Sequence, residues 1–97
     1  MGVKYKREYR DIINDLVPAI ASIPDCHLFF GMTTDEWNSL AAREQMECLR
    51  TLADDLFYGL GSVPKIEVGA GMLEYDARNH LIKVKPDSSV VRLIHLI

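Results

Sequence analysis

Cysteine is scarce in this 97-residue sequence. Cys26 and Cys48 form neither a CxxC pair nor the framework of several cysteines that holds small secreted domains together. A disulfide between them is compatible with the sequence, but reduced thiols in a cytosolic protein are the simpler interpretation. The charged N-terminus also lacks the apolar segment of a signal peptide, so we expect a cytoplasmic protein.

Long apolar runs and an excess of positive charge are absent as well. No stretch approaches the roughly 20 apolar residues that cross a bilayer, which argues against a membrane partner. Proteins that bind nucleic acids usually carry a basic face. Because the net charge is −3, we expect no nucleic-acid partner. The hydrophobic fraction of 48% is that of a folded soluble protein, and the length suits a single domain over residues 1–97.

The first segment of the sequence carries helical periodicity. Between residues 5 and 20, apolar side chains recur on one face and charged side chains on the other, which predicts an amphipathic helix. Pro18 has no backbone N–H to donate, so we expect this helix to kink or end near Val17.

A second helical region starts at a clearer signal. Thr33 stands three residues before Glu36, which is the spacing of a capping box at a helix N-terminus. The apolar pattern then runs to Leu60, and Gly61 favours the end of the helix there. One long helix fits this pattern, and so does a short turn followed by a longer helix that includes 44–58. We favour the second version.

After Pro64 the apolar period changes from helical to two residues. Apolar and charged side chains alternate in 65–69, 72–76 and 80–85, which predicts three strands of a small antiparallel sheet. The last segment, 90–97, is predicted to be a short helix. The predicted class is therefore α+β: two or three N-terminal helices, a small antiparallel sheet of about three strands and a short C-terminal helix.

The C-terminal octapeptide VVRLIHLI is almost wholly apolar, which is unusual at a chain end. In a helix, Val90, Leu93, Ile94 and Ile97 form one stripe, and Val91 lies beside it. We expect this stripe to be an interaction surface through which two copies of the chain form a homodimer. The alternative is that the chain's own helices cover the stripe.

No complete catalytic motif is present. The histidines His27, His80 and His95 are spread along the chain, without the i, i+4 spacing by which two histidines on one helix bind zinc. Cys26 could act as a nucleophile with a distant histidine, because such partners meet in space rather than in sequence. Packing among apolar neighbours explains this cysteine more simply. We therefore assign no catalytic residue and expect no cofactor.

The second half of the sequence nevertheless has a recognisable arrangement. It resembles the front half of minimal zinc-metallopeptidase (zincin) domains, in which a helix ends in a Leu-Gly turn before several strands. A Gly-x-x-x-Tyr strand, an Asn-x-Ile strand and a helix bearing His-Glu-x-x-His then follow. The corresponding segments are 60–61, 66–68, 71–75 and 79–84. Two placements fit the resemblance: either His95 stands at the first zinc-binding histidine, which makes it the single candidate metal ligand, or the motif would start later than residue 97.

The same resemblance also shows a gap. In the first placement, Leu96 occupies the position of the glutamate that activates zinc-bound water in these enzymes, and no second histidine follows one turn later. We therefore expect no bound zinc, and we hypothesise a noncatalytic domain related to a truncated or degenerate zincin. Two alternatives stay open: a protein-interaction or self-association module of unrelated ancestry, and an enzyme that uses Cys26 with a distant histidine.

Overall fold

The structure is a computed structural model that describes residues 3–87 and 89–97. Helical elements come first along the chain: α1 (Tyr9–Ala21), a 3-10 helix (Cys26–Phe30), α2 (Thr34–Ser39) and α3 (Ala42–Leu60). The strands follow: β1 (Lys65–Val68), β2 (Gly71–Asp76), β3 (Leu81–Asp87) and β4 (Val90–His95). The α+β class predicted from the sequence is confirmed, with four strands instead of about three.

The helix boundaries follow the local signals in part. Thr33 and Glu36 form the expected capping box, since the Glu36 N–H donates to Thr33 Oγ1 and the Thr33 N–H to Glu36 Oε1, both at 3.1 Å. The helical region after it is divided as expected, because α2 ends at Ser39 and α3 starts at Ala42. Of the two outcomes expected at Pro18, an end near Val17 is wrong, because α1 continues to Ala21; a kink there stays a prediction.

The four strands form an antiparallel meander in the order β1-β2-β3-β4. Side chains alternate between the two faces of a strand. The observed registers therefore place apolar side chains from all four strands on the same face of the sheet. This buried face consists of Val68, Leu73, Ile82, Val84 and Ile94. The opposite face carries charged side chains on β1, β2 and β3.

The predicted C-terminal helix over 90–97 is wrong, because Val90–His95 is strand β4. The Asp87 carboxylate accepts hydrogen bonds from the N–H groups of Ser89 at 2.7 Å and Val90 at 3.2 Å. Such bonds also cap helices, but here they form a tight turn that returns the chain alongside β3. The strand then gains a ladder of hydrogen bonds and the burial of Ile94 opposite Ile82, whereas an isolated helix of this length is marginal in water.

Strand β3 also runs beyond its predicted end at residue 85. The pairing register with β4 shifts between Val84 and Asp87, and Pro86 lies within this irregularity. Proline has no N–H for the ladder, and bulges of this kind are among the few places where a sheet tolerates it.

Helices α1 and α3 pack side by side over the buried face of the sheet. The Tyr9 hydroxyl joins them by donating to Asp54 Oδ1 at 2.7 Å. Burial is the main cause that raises the pKa of the Tyr9 phenol, and the hydrogen bond to Asp54 raises it further. Because α1 contacts β3 and β4 while α3 contacts β1, strand β4 lies on the α1 side of the molecule. Among the described residues, no helix has the length and apolar character needed to span a bilayer.

Candidate functional site

Strand β4 forms one edge of the sheet. On one side it pairs with β3, and within residues 3–87 and 89–97 no strand pairs with its other side. The Leu96 N–H donates to the His80 carbonyl at 3.0 Å. Because backbone groups alternate in an antiparallel ladder, residues 92 and 94 bond towards β3, as does the N–H of Leu96. The backbone groups of residues 91, 93 and 95 therefore point to the free side. The Leu96 carbonyl, just beyond the strand, instead accepts the N–H groups of Lys6 and Arg7 at 2.7 and 3.1 Å.

A side chain from the N-terminal segment supports this assignment. Arg7 Nη1 donates to the carbonyl oxygen of His95 at 2.9 Å, which is the outward direction expected for residue 95. Arg7 Nη2 also pairs with Asp15 Oδ2 of α1 at 2.9 Å. The guanidinium thus connects α1 to the end of the free edge, and it leaves the backbone groups of Val91 and Leu93 open.

The side chains of β4 alternate between the two faces of the sheet. Ile94 is 5% exposed, whereas Leu93 is 49% and Val91 52% exposed. The predicted helical stripe therefore does not form, because Leu93 and Ile94 point to opposite faces. Val90, Leu93 and Ile97 are exposed as an interaction surface would require, but their role in binding stays a prediction. Val91, which the helical stripe excluded, lies on the same face as Leu93.

The two edges of the sheet differ in their protection. Strand β1 has four residues, with exposed Lys65 and Glu67 and a proline directly before it. Short length, charge and proline are the usual means by which edge strands avoid pairing with other chains. Strand β4 has six residues and carries Arg92 as its one permanently charged side chain. The free side of β4 is the less protected of the two edges.

The outer face next to β4 is a network of opposite charges. Glu74 lies between Lys65 and Lys85, at 3.5 Å from each ammonium nitrogen. Partial burial opposes ionisation of Glu74, but the positive charges of Lys85 and Lys65 outweigh it and lower the pKa of this carboxyl. Lys83 lies opposite Glu74 on one side and opposite Leu93 on the other. The charged side chains of β1, β2 and β3 on this face are therefore followed, at the β4 edge, by apolar side chains such as Leu93.

His95, the candidate zinc ligand, lies on this exposed strand and not on a helix. In the part of the chain that the structure describes, there is no group of three or more histidine, cysteine, aspartate or glutamate side chains placed to hold a metal ion. Strand β4 thus stands where the resemblance to zincins implies a metal-binding helix.

Cys26 and His27 lie at the start of the 3-10 helix, and both are buried. Burial is the main cause that raises the pKa of the Cys26 thiol, and the negative charge of Asp25 raises it further. The His27 ring stacks on Trp37 with centroids 6.1 Å apart, and its Nε2 lies 3.2 Å from Thr34 Oγ1. The Nδ1 atom of His27 is buried without a hydrogen-bond partner in the described residues. This environment disfavours the thiolate that nucleophilic catalysis by Cys26 would need.

Cys26 is therefore expected to react with a disulfide reagent at least about tenfold more slowly than Cys48, because only the thiolate attacks and Cys26 is 3% exposed. Cys48 is partly exposed. The rates are measured by absorbance with Cys26→Ser and Cys48→Ser, each of which retains one thiol. Faster labelling of Cys26 in the folded chain would revive the hypothesis of a cysteine enzyme.

Comparisons with protein-family models, with curated proteins and with solved structures found no match for this chain. The resemblance to zincins accordingly stays a prediction from sequence patterns. Arg7 is the residue of this site that the sequence did not reveal, since its bond to His95 joins opposite ends of the chain. In a strand, the alternation of VVRLIHLI places Val91 on the same face as Leu93, so the sequence does carry a signal for Val91.

Proposed function

We propose that this chain is a noncatalytic interaction module that binds an extended polypeptide segment by adding it as a further strand along β4. The observation that carries the proposal is the difference between the two sheet edges. The β1 strand is short and charged, whereas β4 is a longer strand with exposed apolar side chains. An edge of this kind is a template for strand addition, a common mode of peptide recognition.

The binding groups would be the outward N–H and C=O groups of Val91 and Leu93. Each hydrogen bond formed with an added strand contributes about 0.5–1.5 kcal/mol, because water is displaced from both partners. The side chains of the same two residues point to the outer face, where apolar side chains of the added strand can pack against them. Arg7 occupies the outward carbonyl of His95, so the free stretch is short and accommodates a segment of roughly five residues.

The test uses a synthetic peptide that copies residues 89–97 and carries a lysine tail for solubility. Hydrogen exchange of the full chain is followed at low micromolar concentration, with and without a large excess of peptide. The amides of Val91 and Leu93 are expected to exchange at least about tenfold more slowly with peptide, because they become part of a ladder. The amide of Glu67 on the β1 edge serves as the internal reference and is expected to be unchanged.

The matched control is the same peptide with N-methyl groups on its central amides, which retains the side chains but cannot complete a ladder. Protection by the unmodified peptide alone supports strand addition. Equal effects of both peptides, or no protection at Leu93 with either, would contradict the proposal.

A further inference from the structure

We propose that the segment added along β4 is the β4 strand of a second copy of this chain, in an antiparallel arrangement with Leu93 on the two-fold axis. This inference rests on the proposed function of β4 as a strand-accepting edge. It replaces the helical contact first expected from the sequence with a continuous sheet of two copies. A two-fold axis is the commonest symmetry of identical subunits.

The direction of the backbone groups limits the possible registers. In an antiparallel pair, a residue with outward N–H and C=O groups must lie opposite a residue of the same kind. On the free side of β4 these are residues 91, 93 and 95. Near the centre of the strand, two symmetric registers satisfy this condition. In one, Leu93 lies opposite Leu93 of the second copy. In the other, Val91 lies opposite Leu93 of the second copy.

Charge distinguishes these two registers. Pairing Val91 with Leu93 places Arg92 directly opposite Arg92 of the second copy, and like charges in that position destabilise a sheet. Pairing Leu93 with Leu93 places Arg92 opposite Ile94 and Val91 opposite His95. The second register avoids the repulsion and permits about four backbone hydrogen bonds: two between the Leu93 residues, and one from each His95 N–H to the Val91 carbonyl of the other copy. The His95 carbonyl is left out of this pairing because it accepts the Arg7 guanidinium.

The same register brings opposite charges together across the interface. Arg92 precedes Ile94 by two residues in the strand, so the two side chains lie on the same face of the sheet, which α1 covers. Asp15 of α1 is half exposed and reaches the free edge through Arg7, which also bonds His95. With Arg92 of the second copy opposite Ile94, its side chain would lie on the face where Arg7 joins Asp15 to the His95 carbonyl, so that the Asp15 carboxylate would be shared by two guanidinium groups. The edge therefore has a cation and an anion in the positions that a second copy requires.

The expected dimer is weak. One pair of edge strands with a few flanking side chains falls at the low end of stable protein interfaces, which is about 1,200 Å² of total buried surface. After the loss of translational and rotational freedom, a dissociation constant in the micromolar range is expected. Sedimentation equilibrium of the full chain from low micromolar to millimolar concentration covers this range.

Three variants test the location of the interface. Leu93→Glu is expected to weaken the dimer more than tenfold, because two glutamates would meet on the axis. It retains the fold, since Lys83 lies opposite position 93 within the chain. Leu93→Pro removes an outward N–H and is also expected to give monomers. Glu67→Pro makes the same change on the β1 edge and leaves the dimer intact.

A neutral substitution tests the register. Arg92→Gln is expected to raise the dissociation constant about threefold to fivefold, because it removes the pair with Asp15 of the second copy. In the competing register the same substitution removes a repulsion and tightens the dimer, which would overturn the proposed pairing. A dimer that persists in folded Leu93→Glu would place the interface elsewhere and overturn the inference.

The outcome also separates this inference from the proposed function. If the wild-type chain stays monomeric at millimolar concentration while the peptide protects Leu93, strand addition stands and the second copy is excluded as the partner. If the chain is monomeric and the peptide gives no protection, both proposals fail.

Discussion

Ile94→Glu is expected to unfold the chain, whereas Leu93→Glu leaves it folded. Ile94 lies in the core opposite Ile82, and a carboxylate there would lose its hydration without a partner. A buried unpaired charge costs several kcal/mol, which is comparable to the total stability of about 5–15 kcal/mol for a domain of this size. Leu93 lies on the solvated face, where substitutions usually change stability by no more than about 0.5 kcal/mol.

Urea denaturation monitored by circular dichroism, at concentrations below any self-association, measures both variants. Leu96→Glu and Ile97→Glu repeat the comparison one step further along, because Leu96 is buried and Ile97 is exposed. The alternation is specific to an extended strand, since a helix would place 93, 94 and 97 on one stripe. Equal losses of stability at positions 93 and 94 would contradict the strand.

The helices and the first three strands could be predicted because their signals are local. The capping box of Thr33 and Glu36 lies within four consecutive residues, and the change of period after Pro64 marks the start of the sheet. The end of the chain has no comparable signal. Apolar residues at 90, 93, 94 and 97 match a helical stripe, and 94 and 96 equally match the buried face of a strand. In so short a segment, the hydrophobic period does not distinguish the two.

Pairing with β3 decides whether the segment 90–97 forms a helix or a strand. Strand β3 offers a free edge, and its Ile82 and Val84 need a neighbour on the buried face. Ile94 supplies that neighbour for Ile82, and β-branched residues such as Val90, Val91 and Ile94 favour strands. The candidate site, the free edge of β4, could be predicted only in part, because its geometry also depends on residues that are distant in the sequence. Exposed apolar side chains near the C-terminus were expected, but their arrangement as an edge, and the bond from Arg7 to His95, depend on the completed fold.

Gly69→Ala is the second substitution with a large expected effect. Gly69 opens the two-residue turn between β1 and β2 with φ +57°, a conformation that alanine rarely adopts. A Cβ atom there would also overlap the Asp25 carboxylate and lie 2.9 Å from the Asp25 carbonyl oxygen. That carboxylate accepts the Ala70 N–H with both oxygens, at 3.0 and 3.1 Å. The expected loss is about 3–4 kcal/mol, from backbone strain and the broken charge-assisted hydrogen bonds.

Gly31→Ala is the matched control, because Gly31 has φ +76° and open space around its Cβ position. Its loss should be close to the cost of the left-handed backbone alone, about 1–2 kcal/mol. In an Asp25→Ala background, Gly69→Ala should cost much less than in the wild type, since the carboxylate contact and its bonds are already gone. Denaturation curves of the single and double variants measure this coupling. Additive losses would mean that Asp25 does not hold the turn. The region that precedes α2 and the first hairpin of the sheet would then be joined by apolar packing, without a specific polar contact.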